Sequence, residues 1–211
     1  MKEYISVSTQ LKRFYTPFNA DFIAPFSAKK WNKLNPLRRK KTAVDMLAEW
    51  AETNLTATTR GSKLHYYAEE YPDFSEADCI EKKAIQKWYN DLDPKYEVLF
   101  LELQMFSPDL DYSDTADIIL YNHETGKLVI ADWKTNADLF KNFKGKKMLE
   151  PFTDMLDNAM NHYKLQLNHY KMLLEDMTDF EVERMEVIWL KEDEKDIYQS
   201  FDIEDLTEKL L

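Results

Sequence analysis

The 211-residue chain is acidic, with 39 Asp and Glu against 28 Lys and Arg and a formal charge of −11. Its composition, 44% hydrophobic and 14% aromatic, describes a packed globule and excludes a disordered chain, while the lone Cys79 excludes an intrachain disulfide or a four-cysteine cluster. No apolar run approaches the ~18 residues that cross a bilayer, and the opening MKEYISV lacks a basic then apolar leader. A soluble, cytoplasmic protein without a membrane partner is therefore expected.

Residues 1–94 read as a mainly helical part and 95–211 as an α/β core, together a single domain over 1–211. The first 38 residues scatter Tyr4, Phe14, Tyr15, Phe18, Phe22, Phe26 and Trp31 among Pro17, Pro25 and Pro36. Proline interrupts helices, so short helices and loops are expected there, with the aromatics expected in the core and stacking on single-stranded bases as the alternative. Ala43, Val44, Leu47, Trp50 and Ala51 recur at three and four and predict a helix from about Lys40 to Asn54. Thr56 to Thr59 should break it, and Ser62 should cap a new helix ending before Pro72, with His65 in its first turn. Another helix is predicted from about Ser75 to Asp91, with Cys79 as a small buried side chain in it.

Tyr96 to Phe106 predicts a strand that carries Glu102. Beyond the hairpin described next, Asn136 to Lys147 reads as a lysine-rich loop or short helix bending at Gly145. Phe152 to Glu175 is the longest helical pattern, with His162 and His169 expected in solvent. Val182–Leu190 and Ile197–Phe201 predict two strands joined through Glu192 to Lys195. This order points to an α/β class, a central mixed β-sheet flanked by helices.

The stretch from Asp114 to Lys134 predicts a β-hairpin, with apolar runs Ile118–Tyr121 and Leu128–Ile130 around a polar turn. If Tyr121 pairs with Leu128, Ile119 meets Ile130 and Asp117 meets Asp132. Like charges directly opposite are destabilising. The pair implies either another register or a bound cation, and the cation is preferred. Lys134 shares the face of Asp132. Carboxylates suit Mg2+ or Mn2+, which leave positions for water and substrate phosphate, so Asp117, Asp132 and Lys134 are candidate catalytic residues for phosphodiester hydrolysis. A D-x-K triplet is common on solvent-facing strands, but here it follows the apolar run Leu128 to Ala131.

Four motifs occur in order: Gly61-Ser62-Lys63-Leu64-His65, Asp114-Thr115-Ala116-Asp117, Asp132-Trp133-Lys134 and Gln166-Leu167-Asn168-His169-Tyr170. Over His65 to Tyr170 the chain resembles the PD-(D/E)xK nuclease superfamily, specifically its RecB-like exonuclease branch. It departs by carrying Asp114 where that family has glycine, and it lacks the iron–sulfur cysteines of some members. The resemblance implies a restriction-endonuclease-like core in which His65, Asp117, Asp132 and the backbone carbonyl of Trp133 bind the metal and Lys134 is the catalytic lysine. It places Gln166 and Tyr170 beside the site as substrate contacts.

Glu102 is an additional candidate ligand. Basic residues crowd between Lys29 and Lys41 and again at Lys141, Lys144, Lys146 and Lys147. As a phosphate track, led by Lys141 and Lys144, they would offset the overall negative charge. The expected function is a Mg2+- or Mn2+-dependent deoxyribonuclease, an exonuclease leaving 5′-phosphate and 3′-hydroxyl ends. Its expected partner is linear duplex or single-stranded DNA, in recombination, repair or phage DNA processing, alone or with a recombination or replication partner protein. The alternatives are a structure-specific endonuclease, a catalytically idle nucleic-acid-binding or assembly module of the same fold, and an acidic mimic of DNA.

Overall fold

Ile118 to Leu120 and Leu128 to Ala131 are apolar without alternation, the pattern of strands covered on both faces. The computed structural model describes residues 4–70, 76–191 and 196–211. Its elements run β1 (Ile5–Ser6), α1 (Val7–Leu11), α2 (Ala20–Leu34), α3 (Ala43–Glu70), α4 (Ile80–Asp91), β2 (Tyr96–Ser107), β3 (Tyr112–Asn122), β4 (Lys127–Lys134), α5 (Ala159–Met177), β5 (Val182–Leu190), β6 (Tyr198–Ile203) and α6 (Thr207–Leu210). The strands form one six-stranded sheet in the order β1-β3-β4-β5-β6, with β2 also on β3. It is mixed, as expected: β2, β3 and β4 are antiparallel, β4 and β5 run parallel across α5, and β6 returns antiparallel.

Cα packing divides the chain into two compact units, one of Met1–Thr16 with Lys63–Leu211 and one of Pro17–Ser62. In the larger unit one sheet face packs Ile119, Leu128, Ile130 and Val187 against α1 and against Leu167, Tyr170 and Leu174 of α5. The other packs Ile118, Leu120, Val129, Ala131 and Trp133 against Leu64 and Ala68 of α3 and against Ala84, Ile85 and Trp88 of α4. Burying one such side chain is worth roughly 1.5–3 kcal/mol and an exposed ion pair about 0–1 kcal/mol. The two apolar layers therefore hold the sheet. The smaller unit has its own core of Ala24, Ala28 and Met46 with Leu47 and Trp50.

The helices depart from expectation in several places. α3 runs unbroken through Thr56 to Thr59 and Ser62, and its 28 residues make it the longest helix among the described residues. The hydroxyls of Thr53 and Thr56 donate to the carbonyls of Glu49 (2.8 Å) and Glu52 (3.0 Å), so these polar groups are satisfied inside the helix. The cap is at Thr42, not Ser62. Asp45 N–H donates to Thr42 Oγ1 (3.2 Å) and Thr42 N–H to Asp45 Oδ2 (2.7 Å), a reciprocal arrangement that starts the helix. α2 retains Pro25 in its second turn, starting from Asn19, whose side chain accepts Phe22 N–H at 2.9 Å.

α5 begins at Ala159 rather than Phe152, because Asn158 takes the cap position and accepts Asn161 N–H (2.9 Å). Cys79 is the half-buried N-cap of α4, outside the helix. Of the early aromatics Phe14 is buried, but Phe18, Phe22 and Phe26 are exposed. His169 is buried and His162 is paired with Asp157 (2.8 Å), so neither is the free surface histidine expected. The helix expected from about Ser75 starts at Ile80, residues 76–79 being non-helical, while Ser75 itself and the Glu192–Lys195 connection lie outside the described residues.

Candidate active site

The hairpin has the expected register, with Tyr121 opposite Leu128 and Ile119 opposite Ile130. That ladder stops at Ile118–Ala131, one step before Asp117 and Asp132 would meet. On the other edge of β3, Leu101 pairs with Ile118 and Leu103 with Ala116, while Glu102 between them takes a φ of +49°. Glu102, Asp117 and Asp132 thus occupy one row across three strands, at the level where both ladders are interrupted. A left-handed non-glycine residue costs on the order of 1–3 kcal/mol, and such strain collects at functional sites.

Side chains occupy the interruption. Trp133 N–H donates to Asp117 Oδ2 at 2.7 Å, a carboxylate standing where a sheet would supply a carbonyl. A residue's N–H and C=O point to the same edge of a strand, so the Trp133 carbonyl is directed towards β3 as well. Asp117 Oδ1 lies 3.4 Å from His65 Nδ1, which is 3.1 Å from Glu102 Oε1. The ligating atoms of His65, Glu102 and Asp117 all fall within 4.8 Å of one another. Strand alternation turns Trp133 onto the Trp88 side, at 5.7 Å between ring centres, and Asp132 and Lys134 onto the α5 side. There the Lys134 ammonium pairs with Asp132 Oδ2 and stands 4.6 Å from the centre of the Tyr163 ring. Gln166 Nε2 donates to the Tyr170 hydroxyl at 2.6 Å, and Tyr170 is buried.

The charges act on one another. Burial, and then the neighbouring Asp132, push the Asp117 carboxyl up to about 7, against the pull of Lys134 and His65. Burial alone would lower the Lys134 ammonium, but Asp132 and Asp117 outweigh it and hold it above its ordinary value. The hydrogen bond with Glu102 raises the His65 imidazole, against its burial. The Tyr170 hydroxyl is driven well up by burial and then by Asp132, Asp114 and Asp117, so its ring stands in the field of the acids.

A hard divalent cation fits this donor set. It offers an imidazole nitrogen beside carboxylate oxygens, and Asp132 Oδ2 is sealed from solvent without a well-formed hydrogen bond. A doubly charged ion would relieve the repulsion that raises Asp117. Asp114 sits inside β3 opposite Met105, so the strand forms here without the glycine of the resembling family.

Lys141 and Lys144 lie on an exposed loop, and among the described residues nothing ties them to the acids. Lys146 is engaged by Asp157 (2.6 Å) and Lys147 by the Asp154 carbonyl (2.9 Å). Sequence reasoning missed Tyr163, which backs Lys134 and donates to Asn136 Oδ1 at 2.6 Å. Its position three residues before Gln166, on the same helical face, was the available signal.

Among known proteins the likeness lies in the fold. The crystal structure of a Eubacterium rectale protein named "Putative exonuclease" matches with a TM-score of 0.52, covering 99% of this chain and 76% of that chain at 17% sequence identity. No family model matches the chain, and no curated protein does. At that identity the match speaks for the mixed sheet and its flanking helices, and the chemistry has to be argued from the side chains.

Proposed function

We propose that this chain is a divalent-metal-dependent nuclease of the PD-(D/E)xK type, in its RecB-like branch, that hydrolyses DNA phosphodiesters. The observation that carries the reading is the row Glu102–Asp117–Asp132 at the interrupted ladders, joined by His65 and Lys134. His65, Asp117, Asp132 and the Trp133 carbonyl would hold Mg2+ or Mn2+, with Glu102 as a further ligand. When bound, the ion supplies Lewis acidity, lowering the pKa of water and neutralising charge on the phosphate.

Lys134, kept protonated by two carboxylates, presents a preorganised positive charge to the phosphate oxygens as negative charge grows on them. Asp132 orients that ammonium from one side and the Tyr163 ring supports it from another. Tyr170 fixes the rotamer of Gln166, whose half-buried amide is the substrate-facing member of the pair. Lys141 and Lys144, exposed, contact the phosphates beyond the scissile bond. The four motifs, and the name "Putative exonuclease" of the E. rectale protein, support an exonuclease. The 5′-phosphate and 3′-hydroxyl ends and a place in recombination, repair or phage DNA processing belong to the same proposal on the strength of the motifs alone.

The test is incubation with linear duplex, covalently closed circular and single-stranded DNA, and with RNA, in Mg2+, Mn2+ or EDTA. Expected is metal-dependent loss of linear DNA that spares circles and disappears in Lys134→Ala. Nicking of circles would reassign the chain to endonuclease. Absence of cleavage in every condition would overturn the reading in favour of an idle binding module.

A further inference from the structure

Charge is divided unevenly along the chain. Residues 17–62 hold eight Lys and Arg against four Asp and Glu, a net +4, which leaves −15 for the remainder of a chain at −11. Within this unit α2 buries one face and bares the opposite one. Ala24 and Ala28 pack with Met46. At about 100° per residue, Phe22, Phe26, Lys29 and Lys33 fall within about 60° of one another on the far side of the helix. Phe22 is 64% and Phe26 61% exposed, with ring centres 5.5 Å apart. Just before the helix Phe18, 67% exposed, stands edge-on to Trp50 at 5.3 Å.

Exposed phenyls forgo the gain of burial, and neighbouring ones on a single helix face form a contact patch rather than a scatter. Arg39 and Lys41 are paired with Asp45 and Glu49. Lys29, Lys30 and Lys33 are exposed and, among the described residues, have no acidic partner.

We propose that this face of α2 binds single-stranded nucleic acid, Phe22 and Phe26 stacking on unpaired bases while Lys29 and Lys33 hold the adjoining phosphates. The mixture of residues decides the occupant. Lysine is depleted from the cores of protein interfaces, yet here it lies in the same stripe as the phenyls. A second copy of the chain would set one positive face against another. Duplex DNA hides the faces of its bases, whereas every unpaired base offers one to an aromatic ring. Phosphates satisfy the unpaired ammonium groups, and the acidic remainder of the chain steers a polyanion towards this unit.

Binding is measured in EDTA, so the proposal stands or falls separately from the nuclease reading. Fluorescence anisotropy would compare labelled oligo-dT, oligo-rU and a duplex with wild type, the Phe22→Ala/Phe26→Ala pair and the Lys29→Gln/Lys33→Gln pair. The Phe pair should lose about tenfold or more on single strands and leave duplex affinity unchanged. The Lys pair should flatten the dependence of log K on log salt by about 1.4 for a single strand. Preference for dT or rU tells which nucleic acid the stripe takes. Unchanged affinity for both oligonucleotides in the Phe pair would overturn the proposal, as would a dimer of the wild type that the same substitutions dissolve. Mn2+-dependent hydrolysis of bis(p-nitrophenyl) phosphate should be the same in the Phe pair and wild type, and circular dichroism should show both folded.

Discussion

Lys134 is where stability and chemistry meet, because its ammonium is the nearest positive charge to Asp132, a carboxylate only 1% exposed. Removing one partner of a buried pair typically costs roughly 3–5 kcal/mol, since the other charge stays behind without compensation. In Lys134→Ala the charges left are Asp132 and Asp117, already in mutual repulsion. The metal-free variant should therefore melt about 10 °C below wild type. Excess Mg2+ should close most of that gap, because an ion bound among the same carboxylates replaces the missing charge. Thermal melts of both proteins in EDTA and in Mg2+ would check this. An equal gap in the two conditions would mean that the ion does not sit at these acids.

At the scale of elements, α5 couples the site to the pH dependence of the fold. His169 is 3% exposed, packs against Phe14 and Tyr112, and donates from Nδ1 to the Leu165 carbonyl at 2.8 Å. Burial lowers its pKa, and burial also lowers that of His162, against the opposing Asp157. The unfolded chain then takes up these protons more readily than the folded one. Their contribution is complete above the ordinary histidine value of about 6.5 and is lost as pH falls towards the folded values. The two histidines pull the melting temperature down between about pH 7.5 and 5.5, while the raised Asp117 and His65 work the other way. The measurement is therefore the difference: His169→Gln, which can still donate to Leu165 without titrating, should gain on wild type as pH falls. Parallel curves for the two proteins would assign the acid limb to other groups.

The same helix marks the border of what a linear reading reaches. Its apolar stripe was visible from spacing, as were the hairpin and its register, because Tyr121–Leu128 pairing follows from alternation and turn position. The burial of His169 was hidden, since a histidine looks polar until Phe14 and Tyr112 are brought to it from distant segments. The continuity of α3 through its threonines was hidden too, because their hydroxyls had an intrahelical acceptor that composition does not reveal. Glu102 was visible as an acid on a strand. Its place in the row depends on a left-handed φ that no residue type signals.

Across the whole molecule, the partition of charge makes a kinetic statement. The unit of Pro17–Ser62 is positive while the remainder, which holds the acidic row, carries −15. On the proposed function DNA is captured by exposed cations, and in the Pro17–Ser62 unit Lys29, Lys30, Lys33, Arg38 and Lys40 are exposed without an acidic partner among the described residues. Five phosphate contacts to a single strand give a slope of about −3.5 in log K against log salt. Raising NaCl from about 50 to about 200 mM at fixed Mg2+ should weaken capture on the order of a hundredfold, in the range such contact numbers produce. The proposed catalytic groups respond differently, because Asp117, Asp132 and Lys134 are buried or nearly so and mobile ions screen such groups poorly. Steady-state cleavage of a single-stranded substrate should thus show a KM that climbs steeply with salt and a kcat that barely moves. A fall in kcat at constant KM would place the salt-sensitive charges in the catalytic row instead of on the surface that captures the strand.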